Sequence, residues 1–116
     1  MYKMLVLDLD GTLVNSRKEI TPNTYNALMK AQQSGTHLVL ASGRPVDSIR
    51  PLADMLQLEN FGGFVISYNG ARIINWSTGE VLHQDVLPPE VLPALYEYSH
   101  ISRLPILVYQ DGCVLT

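Results

Sequence analysis

The sequence predicts an α/β fold in which helices cover a parallel sheet, and three observations carry that expectation. Short apolar runs at residues 3–8, 37–41 and 64–67 are each bounded by turn or charged residues, as strands buried on both faces are. The stretches between them repeat apolar residues at helical spacing. Strand, helix, strand, helix, strand at this spacing describes two right-handed βαβ units. The chain's 116 residues suit one domain with a single packed core.

The elements follow in order. Residues 3–8 form the first strand, and a polar loop covers residues 11–21. Thr21-Pro22 reads as the N-cap and first position of a helix, with Ile20 and Tyr25 spaced as a hydrophobic staple. That helix is expected to bury Tyr25, Leu28, Met29 and Ala31, and Gly35 stops it. The second strand is His37–Ala41. Ser42-Gly43-Arg44-Pro45 opens a second helix with Val46, Ile49, Leu52, Ala53 and Leu56 inward, and Pro51 predicts a kink or restart. The third strand is Phe64–Ser67, after Gly62-Gly63. Residues 71–76 and 80–85 flank Ser77-Thr78-Gly79 and read as an antiparallel hairpin. Residues 88–100 read as a helix weakened by Pro93, and Asp111-Gly112 marks a hairpin turn between residues 105–110 and 113–116.

Composition excludes several classes of function. Apolar residues make up 47% and the net charge is only −3, which excludes disorder. Charged residues reach 16%, below the roughly 25% of ordinary soluble domains, so part of the surface is expected to be covered. Cys113 has no partner for a disulfide and is expected to be a small core residue in a strand. No apolar run is long enough for a membrane span, and Asp8 and Asp10 interrupt the N-terminal apolar stretch where a secretory signal would lie. Eight Lys+Arg against eleven Asp+Glu leave no basic footprint for nucleic acid. A cytoplasmic domain with neither a membrane nor a nucleic-acid partner is expected. His37, His83 and His100 are scattered without ligand spacing and read as structural, while Trp76, Tyr96, Tyr98 and Tyr109 read as packing residues.

Three polar groups fall at the carboxyl ends of the three strands, where open parallel sheets bind ligands. Asp8-Leu9-Asp10-Gly11-Thr12 follows the first, Ser42-Gly43-Arg44 the second and Tyr68-Asn69-Gly70 the third. Two carboxylates two residues apart beside a glycine can hold a divalent cation. One of them can attack an electrophile while the other moves a proton. The Ser42 hydroxyl and nearby backbone N–H groups, at a helix start, can hold an anion. Read as structure alone, Asp-Gly and Asn-Gly are turn formers, but the residues after Thr12 lead to a helix and not to a returning strand.

Asp8-Leu9-Asp10-Gly11-Thr12-Leu13 resembles the first motif of the haloacid dehalogenase-like phosphohydrolases, and Ala41-Ser42-Gly43-Arg44-Pro45 resembles their second. Asn69-Gly70-Ala71 is similar to the signature of the Cof-like subfamily, and the hairpin, helix and hairpin that follow resemble the start of its large α/β cap. The 34 positions from Asp8 to Ser42 match one βαβ crossover. The resemblance implies a Rossmann-like core over residues 1–75, with three strands present, and the beginning of an inserted cap over residues 76–116. It implies a Mg²⁺-dependent phosphatase acting on small phosphorylated metabolites. Asp8 would be the nucleophile that forms an aspartyl phosphate, and Asp10 the general acid and base. The Asp8 carboxylate and the Asp10 backbone carbonyl would hold Mg²⁺. Ser42 and the backbone at Gly11, Thr12 and Gly43 would hold phosphate oxygens, with Arg44 and Asn69 as secondary contacts. An acid at Asp10 favours phosphate-ester hydrolysis over dehalogenation, because halide leaves without a proton.

The family's later lysine and Gly-Asp motif have no counterpart: Lys3, Lys18 and Lys30 all precede the second motif, and neither Asp85 nor Asp111 sits in an acidic pair. The sequence is therefore expected to be the N-terminal part of a longer protein, ending inside its cap. Residues 4–7 would then form an open apolar edge, predicting self-association or dependence on a complementary C-terminal fragment. Two other readings compete. A receiver-type phosphoacceptor is disfavoured, since no acid ends the second or third strand. A non-catalytic phosphate-binding module is distinguished by whether a lysine and an acidic motif follow in the full-length sequence.

Overall fold

The computed structural model describes residues 1–116, which divide into two compact units, Met1–Gln84 and Asp85–Thr116. In the first unit, strands β1 (Met4–Asp8), β2 (His37–Ala41) and β3 (Phe64–Ser67) pair in parallel. Strands β4 (Arg72–Asn75) and β5 (Val81–Gln84) then extend the same sheet antiparallel, in the spatial order β1-β2-β3-β4-β5. The expected hairpin is thus present and hydrogen-bonded onto β3.

Helix α1 (Pro22–Gln33) begins where the cap signals place it: the Thr21 hydroxyl accepts from the Thr24 N–H at 3.4 Å. Ile20 and Tyr25, the staple pair, both pack against the core. The buried face differs from expectation. Leu28 and Gln32 are buried, whereas Tyr25, Met29 and Ala31 are half-buried. Gln32 enters the core with its amide nitrogen donating to the Leu56 carbonyl at 2.8 Å, which offsets part of the cost of burial, while its Oε1 is buried without a partner.

Helix α2 (Val46–Met55) runs through Pro51 without the expected restart. Proline there withdraws the hydrogen bond normally received by the carbonyl four residues earlier, which belongs to Asp47 on the exposed side. The break comes later, at Gln57, whose φ of 55° separates α2 from the short helix α3 (Leu58–Phe61). Val46, Ile49, Leu52, Ala53 and Leu56 are all buried as expected. With Leu9, Leu13, Val14, Leu38, Leu40, Leu58 and Val65, most of this face forms one core between the helices and the sheet.

β1 departs from the strand buried on both faces. It lies at the sheet edge with β2 as its one neighbour, and Met4 and Val6 remain 52% and 54% exposed.

The second unit contains a 3-10 turn (Pro89–Val91), helix α4 (Leu92–Ser102) and a hairpin of β6 (Val108–Gln110) and β7 (Cys113–Leu115). Pro93 is tolerated because it sits in the first helical turn. Asp111 and Gly112 take the left-handed conformations that a tight hairpin turn demands. Expectations about burial fail here: Cys113 is exposed in β7, and Tyr96, Tyr98 and Tyr109 are exposed as well, Tyr96 resting against the His100 ring with centroids 4.4 Å apart. A two-stranded ribbon beside one helix has too little second layer to cover them. No helix is long and apolar enough to cross a membrane.

Candidate active site at the strand ends

The sheet register places Asp8 beside Ala41, and Ala41 beside Ile66. Backbone hydrogen bonds sew the loops after β2 and β3 together. The Ser42 N–H donates to Ile66 O at 3.0 Å, Asn69 N–H to Ser42 O at 3.2 Å and Tyr68 N–H to Arg44 O at 3.2 Å. Tyr68, Asn69 and Gly70 all have positive φ, a conformation rare for residues with a Cβ. It persists because the bonds from both sides over-determine it.

The loop after β1 is a tight turn anchored from inside. Leu9 is fully buried, Leu13 and Val14 nearly so, and the Leu13 and Val14 N–H groups close back on Asp8 O and Leu9 O at 3.1 and 3.0 Å. Gly11 takes φ 79°, open to glycine without steric penalty. Burial of a leucine is worth about 1.5–3 kcal/mol, so Leu9 is a firm peg. The carboxylates on either side of it, Asp8 and Asp10, are left at the surface.

A cavity of about 300 Å³ is lined by Asp8, Ala41, Ser42, Gly43, Ile66, Asn69 and Gly70. The Ser42 hydroxyl oxygen accepts from the Arg44 N–H at 3.1 Å, which leaves its proton free to donate into this space. Any side chain at position 43 would have to displace the Asn69 amide. A Cβ on Gly43 would stand 2.8 Å from Asn69 Oδ1. Gly11 and Thr12 line a neighbouring recess of about 460 Å³ with Asn15, Ser16 and Lys18. A larger cavity of about 800 Å³ lies within the second unit, against Tyr96, His100, Leu104 and Val108, and no carboxylate side chain lines it.

Asp10 carries two cations. Arg44 grips it with Nε on Oδ2 at 3.0 Å and Nη2 on Oδ1 at 2.6 Å, the paired geometry that suits guanidinium and carboxylate. Lys18 Nζ reaches Oδ1 at 2.5 Å. The Arg44 hydrogen bonds first, and the Lys18 bond second, hold the Asp10 carboxyl at about 2, below its ordinary 3.8. The same contact raises Arg44. Arg44, expected near phosphate, thus sits on Asp10, and Lys18 is a site residue that sequence spacing did not single out. Its one available signal was the polar Asn15-Ser16 turn that precedes it.

Residues 5–116 match the family model described as haloacid dehalogenase-like hydrolase. The chain belongs to this family.

Its similarity to individual hydrolases runs along the whole sequence. It is 35% identical to the candidate phosphatase YxeH of Bacillus subtilis (strain 168) over 116 residues, which is all of this chain and 43% of that protein. It is 28% identical to the pyridoxal phosphate phosphatase YbhA of Escherichia coli (strain K12) over 97% of this chain and 40% of that one. A crystal structure of a haloacid dehalogenase-like hydrolase from Bacteroides thetaiotaomicron superposes with a TM-score of 0.89 at 52% identity. It covers 95% of this chain and 41% of that chain. These relatives are of the Cof-like kind that Asn69-Gly70-Ala71 pointed to. The chain spans about two fifths of the length of the relatives it matches.

For a hydrolase of this family the fit of a divalent cation can be tested on the donors present. No trio of His, Cys, Asp or Glu gathers anywhere in the chain, so no all-protein cage exists. The Asp10 carboxylate is occupied by two cations, which leaves the Asp8 carboxylate open, and the family resemblance adds the Asp10 backbone carbonyl as a second oxygen donor. That set fits Mg²⁺, which binds through one or two carboxylates and fills its remaining positions with water and substrate phosphate.

Proposed function

We propose that this hydrolase is a Mg²⁺-dependent phosphatase that cleaves small phosphorylated metabolites, working in the cytoplasm through an aspartyl phosphate on Asp8. The observation that carries the reading is the single cavity shared by Asp8, Ser42, Gly43 and Asn69, with Asp10 one turn away on the same loop. An Asp8 oxygen attacks the phosphorus, and the bond from phosphorus to the leaving oxygen breaks. Asp10 gives that oxygen a proton. Water then attacks the phosphorus, Asp10 takes the water's proton, and Asp8 is released. Ser42 and the backbone of Gly11, Thr12 and Gly43 hold the phosphate oxygens, aided by Asn69 and Arg44. The Asp8 carboxylate and the Asp10 carbonyl would hold Mg²⁺, which would supply positive charge against the repulsion between carboxylate and phosphate.

With Arg44 and Lys18 upon it, Asp10 is ionised at neutral pH, the form that accepts the water's proton. The proton that Asp10 gives to the leaving oxygen arrives with the substrate, carried in by the phosphate monoanion. The name of the E. coli relative supports a small phosphomonoester as substrate class. Residues 1–75 are read as half of the catalytic core and residues 76–116 as the beginning of an inserted cap.

The test is hydrolysis of an aryl phosphate with Mg²⁺, comparing the chain with Asp8→Asn. A loss of at least about 10³-fold, the scale of removing a nucleophile, is expected, together with loss of activity on chelation. Equal rates in the two proteins would overturn the reading, and a folded chain that binds phosphate without turnover would reduce the site to a phosphate holder.

A further inference from the structure

Of the three lysines in the chain, Lys18 is the one whose ammonium rests on a carboxylate. Its placement is built into the loop. Lys18 has a left-handed φ of 63°, held by its own N–H on Asn15 O at 2.9 Å and by the Asn15 N–H on Glu19 O at 3.0 Å. The Asn15 side-chain oxygen closes the turn, accepting from the Arg17 and Glu19 N–H groups at 2.9 and 3.1 Å. The other charges in this loop, Arg17 and Glu19, pair with each other at 3.3 Å and leave the local sum unchanged.

The charges at the strand ends balance only when Lys18 is counted. Asp8 and Asp10 contribute two negatives, Arg44 and Lys18 two positives. Mg²⁺ adds the same charge with or without Lys18, so a phosphate monoester that approaches Asp8 meets one more uncompensated negative charge, on Asp10, when Lys18 is missing. We propose that Lys18 is a positioning residue of this site, its ammonium cancelling the Asp10 charge so that an anionic phosphate can settle beside Asp8. The inference rests on the phosphatase reading and assigns the charge balance to a residue outside the three strand-end motifs.

Calorimetric titration of the full 116-residue chain with inorganic phosphate, at low ionic strength with Mg²⁺ present, tests it. Lys18→Met is expected to weaken binding about three- to tenfold, the effect of one unit charge several ångströms away in a partly solvated site, and Lys18→Arg to retain it. Combining Lys18→Met with Asp10→Asn is expected to return binding close to that of the unaltered chain. The repelling carboxylate is then gone, whereas a loop that had merely lost its shape would not be rescued. Unchanged binding in Lys18→Met, or no recovery in the double variant, would overturn the inference. Ser42→Ala separates the two readings. If Ser42→Ala weakens phosphate binding while Lys18→Met does not, the site stands and the role of Lys18 falls. If neither Ser42→Ala nor Lys18→Met changes it, or the unaltered chain binds none, both fall.

Discussion

Asp10 illustrates how neighbours set the behaviour of one carboxyl group. Held at about 2 by the Arg44 and Lys18 contacts, against an ordinary 3.8, it binds its proton less readily folded than unfolded. A group depressed in this way stabilises the fold above its unfolded value, and the contribution is lost as pH falls through the folded one. Denaturant midpoints measured between about pH 5 and about pH 2 should therefore decline more steeply for the unaltered chain than for Asp10→Asn. The carboxylate is partly open to solvent, so added salt should shrink the difference. Identical acid profiles would show that the ion pairs do not persist in solution.

At the scale of elements, α1 depends on its first turn. The Thr21 hydroxyl is the side-chain cap of that helix, and Thr21→Ala is expected to lower stability by about 1 kcal/mol, read as a shift in urea midpoint. This cap was legible in the sequence because Thr-Pro is a local signal, and so were β2, β3 and both hairpins, whose bounds are set by runs and turns a few residues long. Elements governed by distant partners were less so. Continuity through Pro51 goes with an exposed residue, Asp47, at the position that loses its hydrogen bond, and burial of Gln32 goes with a bond to the Leu56 carbonyl, 24 residues away. The same division runs through the site. Asp8, Ser42, Gly43 and Asn69 follow strands and could be read from order alone, whereas Lys18 reaches Asp10 only because a left-handed backbone turns it there, and no spacing rule encodes that turn.

For the molecule as a whole, the decisive feature is the outer edge of the sheet. β1 offers unpaired backbone groups on one side, with Met4 and Val6 half exposed beside them, and such edges recruit further strands. The 116-residue chain is expected to self-associate as concentration rises, through β1 of a second copy. Light scattering across a dilution series should show the mass increasing, and Val6→Lys should hold the chain nearer to monomer. A constant monomeric mass at high concentration would count against this pairing.

The close fit of Gly43 against Asn69 also constrains the routes open to descendants of this sequence. Alanine at 43 introduces a methyl group where the Asn69 amide already lies, so that step taken first makes the Asn69 side chain move aside. Glycine at 69, a residue suited to the left-handed backbone there, removes the obstruction and makes the later change at 43 harmless to packing. The two positions are coupled through one side chain, and sequences with alanine at position 43 should lack asparagine at position 69 more often than sequences with glycine there.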